Sequence, residues 1–581
     1  MKRQQLFIKL TSLEEAWKLV EERIPPKPIG IEEVLIEDSL NHVLAEDVHS
    51  PISYPPYPRS IVDGYAVRVD DVRNAWEDRP VELVLKGELR IGEPPGKISI
   101  EPGETVYVDT GSPIPDGADA VVPVEYTARN NSRVIIYRSV TLGENIAWPG
   151  SDVVRGELLF RRGEKITAYH IGVLANIGIR RVKVYAKPRI AIISTGDELV
   201  EPGVVLEPGK VYDSNSFSLK AMLERDGFRA ERLGIIGDDE RRLEELLFKA
   251  LKEYDVVLLS GGTSAGVGDI VYRVLGRIGE LIVHGLKLKP GKPTIIARVG
   301  GKPVFGLPGN PGSARNVYEV LVKPYLYRME GLGSELEVKN EIEAILALPA
   351  QGARGRRTYQ PVILYWSNIR KEWIAVPYEY ESYMIRRVLE ADGILVIGED
   401  EYAPLKPGVK RKIIPLKLVR KDVVVGEESE LLTRVASQED KRALPLGSLT
   451  AKILFENNYV SDIIVSSKLI GEKQLSNIEV RSLHSRRILL VAKPRLEKTI
   501  RVAWYSQTTS LALLQNKIIE EYGNHRIVRV KVKTPMQAAL LFNDNQVDII
   551  AIPEEYYKLL EEPNKIIHED EEKLLHITLK Q

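Results

Sequence analysis

The chain has 581 residues, more than one hydrophobic core usually holds, so several domains are expected. Its formal net charge of −1 gives no electrostatic basis for binding nucleic acid or an anionic membrane. Because the sequence contains no cysteine and only 8 histidines, disulfides, thiolate metal sites and cysteine nucleophiles are excluded, and a histidine-built metal site is not expected.

Residues 1–50 begin with a helix. Residues 12–15 have the pattern of a capping box, and one helical face follows, formed by Leu13, Ala16, Trp17, Val20 and Ile24. A Pro-Pro turn then precedes a predicted strand, VLIEDSL at 34–40. No stretch approaches the roughly 20 apolar residues needed to span a bilayer, so we expect a cytoplasmic protein. The many charges and prolines also suit a thermophile, on weak compositional grounds.

Residues 51–154 have the pattern of a β-rich domain. Prolines and glycines separate short alternating strands there, such as VELVLKG and TVYVDTG. Residues 155–186 then carry a helical pattern, TAYHIGVLANIG, and a strand, RRVKVYA.

Three buried strands in the region 187–332 each run into a polar loop that contains glycine. The strands are RIAIIS (189–194), DVVLLS (255–260) and PVFGL (303–307), and the loops contain Thr195-Gly196, Gly261-Gly262-Thr263-Ser264 and Pro308-Gly309-Asn310. In an open parallel sheet, loops at the carboxyl ends of the strands converge on a ligand crevice. Glycine lets the backbone approach a ligand closely, and hydroxyls donate to phosphate oxygens. The region therefore predicts a doubly wound α/β domain that binds phosphate or an oxyanion. Its loops match neither the dinucleotide nor the nucleoside-triphosphate glycine pattern.

The third of these loops predicts a helix start. Asn310 is the expected N-cap and Pro311 the first helical residue, so free N–H groups would form an anion site there. Lys287, Lys289 and Lys292 lie just upstream in the stretch KLKPGKP.

The remainder of the chain predicts two further domains. Residues 333–420 contain strand patterns, among them TYQPVILYW and KRKIIPLKLV, and form a β-rich unit. Residues 421–581 alternate strand-like runs such as DVVVGEE and VDIIAIP with helical runs such as TSLALLQNKIIEEYG, which predicts a second, smaller α/β domain.

Several ordered motifs between about residues 10 and 420 resemble those of the molybdopterin molybdenumtransferases, the family of MoeA and the gephyrin E-domain. The motifs are PPYPRSIVDGYAV (55–67), TGSPIPDGADAVVPVE (110–125), GENIAWPGSDVVRGE (143–157), STGDEL (194–199), YDSN (212–215), LSGGTSAGVGD (259–269), KPGKP (289–293) and GLPGNPGSA (306–314).

The resemblance implies an elongated MoeA-like, multidomain architecture of α/β and β units. Residues 1–50 and 155–186 would form an N-terminal linker and dimerisation domain, 51–154 an inserted β-rich domain, 187–332 the central doubly wound α/β domain, and 333–420 a β-barrel-like fourth domain. Residues 421–581 would be an additional α/β domain. That last domain faintly resembles periplasmic-type substrate-binding proteins, as in some archaeal members, and a degenerate or purely structural domain is an equal expectation.

The activity that the resemblance implies is insertion of molybdate or tungstate into adenylylated molybdopterin, with release of AMP. Magnesium would be required, the protein would be a homodimer, and the adenylyltransferase of the same pathway would be a partner. Magnesium prefers one or two carboxylates together with phosphate oxygens and water, a requirement that a chain without cysteine can meet.

The resemblance assigns site residues position by position. Catalytic carboxylates would be Asp63, Asp152, Glu198 and Asp269, with Asp63 supplied by the second subunit and Asp238 and Asp269 near magnesium; Asp239 is the alternative to Asp238. Binding residues would be Thr110, Ser260, Gly261, Gly262, Thr263, Ser264, Lys289, Lys292, Pro308, Gly309, Asn310, Ser313, Arg356 and Ser382, with Arg357 the alternative to Arg356. The sequence departs from the family pattern at Ala147, Ser151, Val267 and Tyr383, which puts the affinity or oxyanion preference in doubt more than the reaction.

Three other functions stay open from the sequence. One is the preceding step, adenylylation of molybdopterin with ATP, which a related single α/β domain catalyses. A second is a non-catalytic scaffold of the gephyrin type. A third, for residues 421–581 only, is a sensor of an oxyanion or another small ligand.

Overall fold

The computed structural model describes residues 10–263, 270–332, 341–378, 380–384, 389–418, 421–466, 478–493, 496, 499–504, 518–519, 522, 525–532, 535–561 and 565–579. Ser264, Val267 and Asp269 therefore lie outside the described residues, as does most of the helix predicted at 508–523. None of the described helices combines the length and the apolar character that a membrane crossing requires.

Most of the longer helices belong to the central α/β domain. The helices are α1 (Leu13–Arg23), α2 (Val69–Val72), α3 (Ala168–Asn176), α4 (Asn215–Arg225), α5 (Glu240–Glu253), α6 (Ile270–Ile278), α7 (Pro311–Val317), α8 (Lys323–Met329), α9 (Glu430–Gln438), α10 (Ser448–Glu456) and α11 (Pro535–Asn543). A π-helical turn, Tyr318–Val322, joins α7 to α8, and 3₁₀ turns lie at Ile36–Asp38, Val124–Tyr126 and Glu554–Leu559.

Strands occur in every domain. They are β1 (Ile31–Leu35), β2 (Val48–His49), β3 (Arg59–Ser60), β4 (Gly64–Val67), β5 (Val81–Leu89), β6 (Glu104–Val108), β7 (Ala120–Pro123), β8 (Thr127–Asn130), β9 (Arg133–Ile136), β10 (Ile146–Ala147), β11 (Leu158–Phe160), β12 (Arg181–Tyr185), β13 (Arg189–Thr195), β14 (Leu199–Val200), β15 (Val211–Tyr212), β16 (Arg229–Ile236), β17 (Val256–Ser260), β18 (Glu280–His284), β19 (Leu288–Lys289), β20 (Ile295–Val299), β21 (Lys302–Leu307), β22 (Ile342–Leu346), β23 (Arg357–Ser367), β24 (Glu372–Pro377), β25 (Gly393–Ile397), β26 (Lys410–Pro415), β27 (Val423–Gly426), β28 (Arg442–Leu444), β29 (Asp462–Ser466), β30 (Ile478–Ala492), β31 (Thr499–Trp504), β32 (Arg526–Lys531), β33 (Ile549–Pro553) and β34 (Lys565–Leu579).

The segments on either side of the inserted domain pack together. β1 pairs antiparallel with β12, and β2 with β11. A small core containing Leu44, Leu174 and Val182 lies between them. The strand predicted at 34–40 is wrong beyond Leu35, because residues 36–38 form a 3₁₀ turn.

Helix α1 packs on the central α/β domain, which differs from its expected place in the N-terminal unit. Ser12 caps it by accepting from the Glu15 N–H (3.1 Å), as the sequence predicts. Its buried face, including Ala16 and Val20, shares a core with strand residues such as Ile190. Apolar complementarity to the sheet, rather than proximity in the chain, decides where this helix lies.

The inserted domain is a β-sheet with the order β7-β4-β6-β5-β9-β8. Only the β5–β6 pair is parallel. Apolar side chains cover both of its faces, one set around Val67 and Val122 and the other around Val106 and Val121.

The central domain is an open sheet with the order β16-β13-β17-β21-β20-β18. Its first four strands are parallel, β20 runs antiparallel to β21, and β18 pairs antiparallel with β20, so β20 alone runs against the other five strands. Alternate residues point to opposite faces, so Ile190 and Leu258 enter one core while Ala191 and Leu259 enter the other. Helices cover both faces, as a doubly wound sheet requires.

The fourth domain is a closed barrel. Its strands follow the order β23-β24-β22-β26-β25, and β25 pairs back onto β23. The parallel pairing of β19 with β23 joins this barrel to the central domain next to Lys289.

The C-terminal region consists of two lobes on one mixed sheet with the order β28-β27-β29-β34-β30-β33-β31-β32. We call residues 421–466 the near lobe and residues 499–561 the far lobe. β30 and β34, of 15 residues each, pair antiparallel and run through both halves of the sheet. The far lobe has its own core, around β33 and α11.

The near lobe shares a hydrophobic core with the barrel. Tyr365 and Val376 of the barrel pack in one cluster with Val425, Leu454 and Val465 of the near lobe. An ion pair between Arg442 and the buried Asp392 (2.7 Å) joins the same two units. The near lobe is therefore part of the barrel's packing.

Candidate active site

Three strand ends meet side by side at one edge of the central sheet. Ser194 of β13 is paired with Ser260 of β17, and Ser260 with Leu307 of β21. The loops that follow these strands, predicted separately from the sequence, therefore begin at the same edge.

The first two loops touch so closely that glycine is required at 261. Its backbone has φ +94°, and a Cβ there would overlap the carbonyl oxygen of Thr195. Gly262 also has positive φ and lies against the Thr195 hydroxyl. The absence of side chains keeps the backbone of this loop exposed to a ligand.

A cleft of about 700 Å³ lies above these loops, between the central domain and the barrel. The predicted site residues that line it are Glu198, Asp238, Gly261, Gly262, Thr263, Lys289, Lys292, Pro308, Gly309, Asn310, Ser313, Arg356 and Ser382. Ser260 lies beneath the floor of the cleft, with 3% of its surface exposed.

Cations face the cleft from two domains. Lys289 ends β19 and Lys292 lies in the turn after it, whereas Arg356 immediately precedes β23 of the barrel. The neighbouring cations are engaged elsewhere: Lys287 pairs with Glu399 (3.6 Å), and Arg357 pairs with Glu14 of α1. The structure thus favours Arg356 over Arg357 for the cleft.

Two carboxylates also line the cleft, Glu198 after β13 and Asp238 after β16. Burial, and then the charges of Asp197 and Glu198, raise the pKa of the Asp238 carboxyl above its usual range. Asp239 instead caps α5 by accepting from the N–H groups of Arg241 (3.0 Å) and residue 242 (3.1 Å). Asp238 is therefore the member of the pair that faces the cleft.

The two carboxylates that line the cleft would fit a magnesium ion only if a ligand and water supplied its remaining oxygen atoms. Across the described ranges, no group of three or more acidic or histidine side chains forms a complete metal cage. The accumulated negative charge at Asp238 and Glu198 nevertheless suits a cation, and magnesium commonly uses one or two carboxylates with phosphate oxygens and water.

The predicted anion site at the start of α7 is wrong. The N–H of Gly312 donates to the carbonyl oxygen of Ser382 (2.9 Å), so a barrel loop occupies that position. Asn310 is the N-cap residue, but its side chain makes no capping bond and donates to the Ser382 hydroxyl (2.9 Å). An anion in the cleft must therefore be held by side chains and by other loops.

Sequence reasoning missed residues that only the barrel brings to the cleft. They include Thr358, Tyr359, Gln360, Tyr380 and Glu381. Burial raises the pKa of the Tyr380 hydroxyl. The one signal in the sequence was the adjacency of Tyr380 and Glu381 to Ser382. Thr195, which also lines the cleft, belongs to a loop that the sequence had singled out.

Asp63, Thr110 and Asp152 are not among the described residues that line the cleft of their own chain. Asp63 accepts from the Thr110 N–H (2.6 Å) and hydroxyl (2.8 Å), which lowers the pKa of its carboxyl. Asp152 lies on another loop of the inserted domain, where its N–H donates to the Tyr54 carbonyl (3.2 Å). Asp63 and Thr110 thus form a preorganised pair away from the cleft.

A cleft between an open α/β sheet and a barrel, lined by both cations and carboxylates, is typical of an enzyme that handles phosphates or oxyanions. Three family models match the chain in order. They are the MoeA N-terminal region (domain I and II) at residues 11–178, the "Probable molybdopterin binding domain" at 191–328, and the MoeA C-terminal region (domain IV) at 343–416.

Comparisons with whole proteins agree with these three family models. The chain is 32% identical to the molybdopterin molybdenumtransferase of Haemophilus influenzae, over 61% of this chain and 86% of that one. It is 33% identical to molybdopterin molybdenumtransferase 2 of Mycobacterium tuberculosis, over 62% and 88%. The crystal structure of a MoeA protein from Pyrococcus horikoshii superposes with a TM-score of 0.58 at 32% identity, over 70% and 99%.

The chain belongs to the MoeA family of molybdopterin molybdenumtransferases, which is a family of molybdenum cofactor biosynthesis.

Proposed function

We propose that this protein inserts molybdate or tungstate into adenylylated molybdopterin and releases AMP, as a magnesium-dependent homodimer in the cytoplasm. One observation carries the proposal: three strand-end loops, two lysines and an arginine border a single cleft. Such a cleft can hold a pyrophosphate linkage and an oxyanion next to each other.

In this proposal the cleft holds the two substrates on different walls. The backbone around Gly261 and Gly309 approaches the phosphates, because neither residue has a side chain to keep them away. Lys289, Lys292 and Arg356 hold the doubly charged oxyanion by charge-assisted hydrogen bonds. Asp238 and Glu198 would hold magnesium, which neutralises charge on the phosphate oxygens.

The decisive experiment is an AMP-release assay with purified protein, adenylylated molybdopterin and each oxyanion in turn. We expect AMP release that depends on molybdate or tungstate and on added magnesium. Consumption of ATP with metal-free molybdopterin, without AMP release from the adenylylated form, would instead support the adenylyltransferase alternative. Comparing the two oxyanions identifies the preferred metal.

The position of Asp63 and Thr110 supports a cleft completed by a second subunit. We expect Asp63→Asn alone to be inactive, and Lys289→Met alone to be nearly inactive when molybdate is supplied near the wild-type KM. When equal amounts of the two variants are mixed so that subunits exchange, half of the dimers contain one subunit of each kind. One of the two clefts in such a dimer has both residues intact, so about a quarter of all clefts should be active. The matched control is Asp63→Asn mixed with Asp152→Asn. Both changes lie in the inserted domain, so every cleft in this mixture receives an inserted domain that carries one of the two changes. Recovery in the control, or none in the first mixture, would contradict the shared cleft.

For the C-terminal region we infer a packing role for the near lobe. Glu427, with 3% of its surface exposed, accepts from the N–H (3.0 Å) and the hydroxyl (2.7 Å) of Ser448 at the start of α10. The protein's own carboxylate thus occupies the place where a helix start would bind an oxyanion. Calorimetry with molybdate on the full-length Lys289→Met/Lys292→Met variant tests this inference, since heat that persists there would point to a sensor in the tail.

A further inference from the structure

The segment Asp213–Asn215, which begins helix α4, is bonded to the ends of all three strands beneath the cleft. Asn215, with 6% of its surface exposed, donates through Nδ2 to the Ser260 hydroxyl (3.0 Å) and to the Gly309 carbonyl (2.8 Å). Ser260 ends β17, and Gly309 lies in the loop after β21. One amide group therefore joins the last paired residue of β17 to the loop that follows β21.

Asp213 holds this amide group in place. Its buried carboxylate accepts from the hydroxyl of Ser194 at the end of β13 (2.7 Å) and from the hydroxyl (2.6 Å) and N–H (3.1 Å) of Ser216. Arg232 lies 3.8 Å from the same carboxylate. These bonds fix the first turn of α4 against the sheet, so Asn215 has little freedom to follow a displaced loop.

We propose that Asn215 is a positioning residue for the pterin nucleotide. It sets the spacing between the loop at Gly261–Thr263 and the loop at Gly309–Asn310, and the substrate's phosphates are held between those loops. Asn215 acts through them, because the described lining of the cleft does not include it. This inference rests on the proposed function.

The amide group is required because of what surrounds it. The Gly309 carbonyl can only accept a hydrogen bond, so Nδ2 must be the atom that faces it. Asn215→Asp keeps the shape of the side chain and places a second acceptor against that carbonyl. The two oxygens then repel each other, and the loops separate.

A matched control exists at the turn that carries the two lysines of the cleft. Asn316 of α7 donates through Nδ2 to the carbonyl of Pro290 (2.7 Å), in the turn that carries Lys289 and Lys292. The same asparagine-to-aspartate change there should disturb the lysines and leave the glycine loops in place.

The experiment measures KM for each substrate separately in the full-length protein. We expect Asn215→Asp to raise the KM for adenylylated molybdopterin about tenfold or more, and to leave the KM for molybdate within about twofold. Asn316→Asp should instead raise the KM for molybdate and leave the KM for adenylylated molybdopterin nearly unchanged. Unchanged KM values in a folded Asn215→Asp protein, or an equal rise in both, would overturn the proposal.

Equilibrium binding of adenylylated molybdopterin, followed by pterin fluorescence, separates this inference from the proposed reaction. If the wild-type protein binds the nucleotide but releases no AMP, the proposed reaction is contradicted. Weaker binding by Asn215→Asp would in that case still support the positioning role. Thermal melting shows that the variant is folded. Should Asn215→Asp not fold, Asn215→Ser, whose shorter side chain cannot reach both partners, is measured against the same criteria.

Discussion

Asn310 of the central domain donates a hydrogen bond to the hydroxyl of Ser382 in the barrel, across 2.9 Å. The backbone bond from Gly312 to the Ser382 carbonyl runs beside it. The barrel loop that carries Tyr380 and Ser382 is thus docked on the first turn of α7, where both residues line the cleft.

Replacing Gly312 with alanine should undock this loop. A Cβ at 312 would overlap the Tyr380 hydroxyl and crowd the Ser382 carbonyl, so we expect an overpacking cost of about 1–3 kcal/mol and a higher KM for the oxyanion. Gly172→Ala is the control: its Cβ meets nothing within 4 Å inside α3, so it should stabilise the protein by about 0.5–1 kcal/mol. Denaturant unfolding and the AMP-release assay measure both effects, and equal behaviour of the two variants would contradict the docked loop.

Removing the charge of Lys289 should weaken oxyanion binding selectively. A hydrogen bond to a charged group contributes about 1.5–3 kcal/mol, so Lys289→Met should raise the KM for molybdate roughly 10- to 100-fold. Tungstate should be affected by a similar factor, because the two oxyanions share charge and shape. Lys249→Met, on the exposed face of α5, is expected to change neither KM. A loss confined to kcat would indicate that Lys289 does not contact the oxyanion.

The shared core of barrel and near lobe should unfold as one unit. Leu454→Ala removes a fully buried side chain from that core and should cost about 2–5 kcal/mol. Ile453→Ala, on the same helix with 36% of the isoleucine exposed, should cost much less. Scanning calorimetry tests whether the two units unfold together. If Leu454→Ala lowered the melting temperature of a separate near-lobe transition and left the barrel transition unchanged, the two units would be energetically independent.

Two groups near Lys187, the buried Glu330 and the half-buried His42, should give opposing pH dependences of stability. Burial raises the pKa of Glu330 to about 7, with Lys187 and Lys165 partly opposing the rise. Burial, reinforced by Lys187 and Arg229, lowers the pKa of His42 to about 4. The Glu330 contribution is present below about pH 4.5 and is lost as the pH rises through about 7. The His42 contribution is present above about pH 6.5 and is lost as the pH falls through about 4.

In the wild type these two changes of stability with pH should largely cancel. Each single variant should therefore show a clear slope of stability against pH. With Glu330→Gln, stability should rise by about 3 kcal/mol between about pH 4 and pH 6.5, since only the His42 contribution remains. With His42→Gln, stability should fall by a similar amount between about pH 4.5 and pH 7. Urea unfolding across this range gives the slopes directly. Parallel curves for both variants and the wild type would show that neither group keeps its shifted pKa in the folded protein.

The strand ends of the site could be predicted because their signals are local. Apolar runs of strand length that lead into glycine-bearing loops define β13, β17 and β21, and a parallel sheet brings such ends together. The N-cap at Ser12 is equally local. Neighbouring residues of like chemistry could not be separated, because partners distant in the chain decide between them. Arg357 is drawn to Glu14, 343 residues earlier, which leaves Arg356 for the cleft.

The same reason explains the errors. The Asn310 side chain was expected to cap its own helix, but a hydroxyl from a loop 72 residues later attracts its amide. Tyr380 reaches the cleft only because the barrel closes against the central domain. A sequence pattern describes one segment at a time, so it cannot predict a hydrogen-bond partner that folding brings from another domain.

The pair of 15-residue strands that runs through both lobes limits how the far lobe can communicate with the barrel. Sliding one strand along the other would break every ladder bond at once, whereas twisting the ribbon changes each bond only slightly. A change of register between the lobes is therefore disfavoured, and only a change of twist can pass along the two strands from the far lobe to the near lobe.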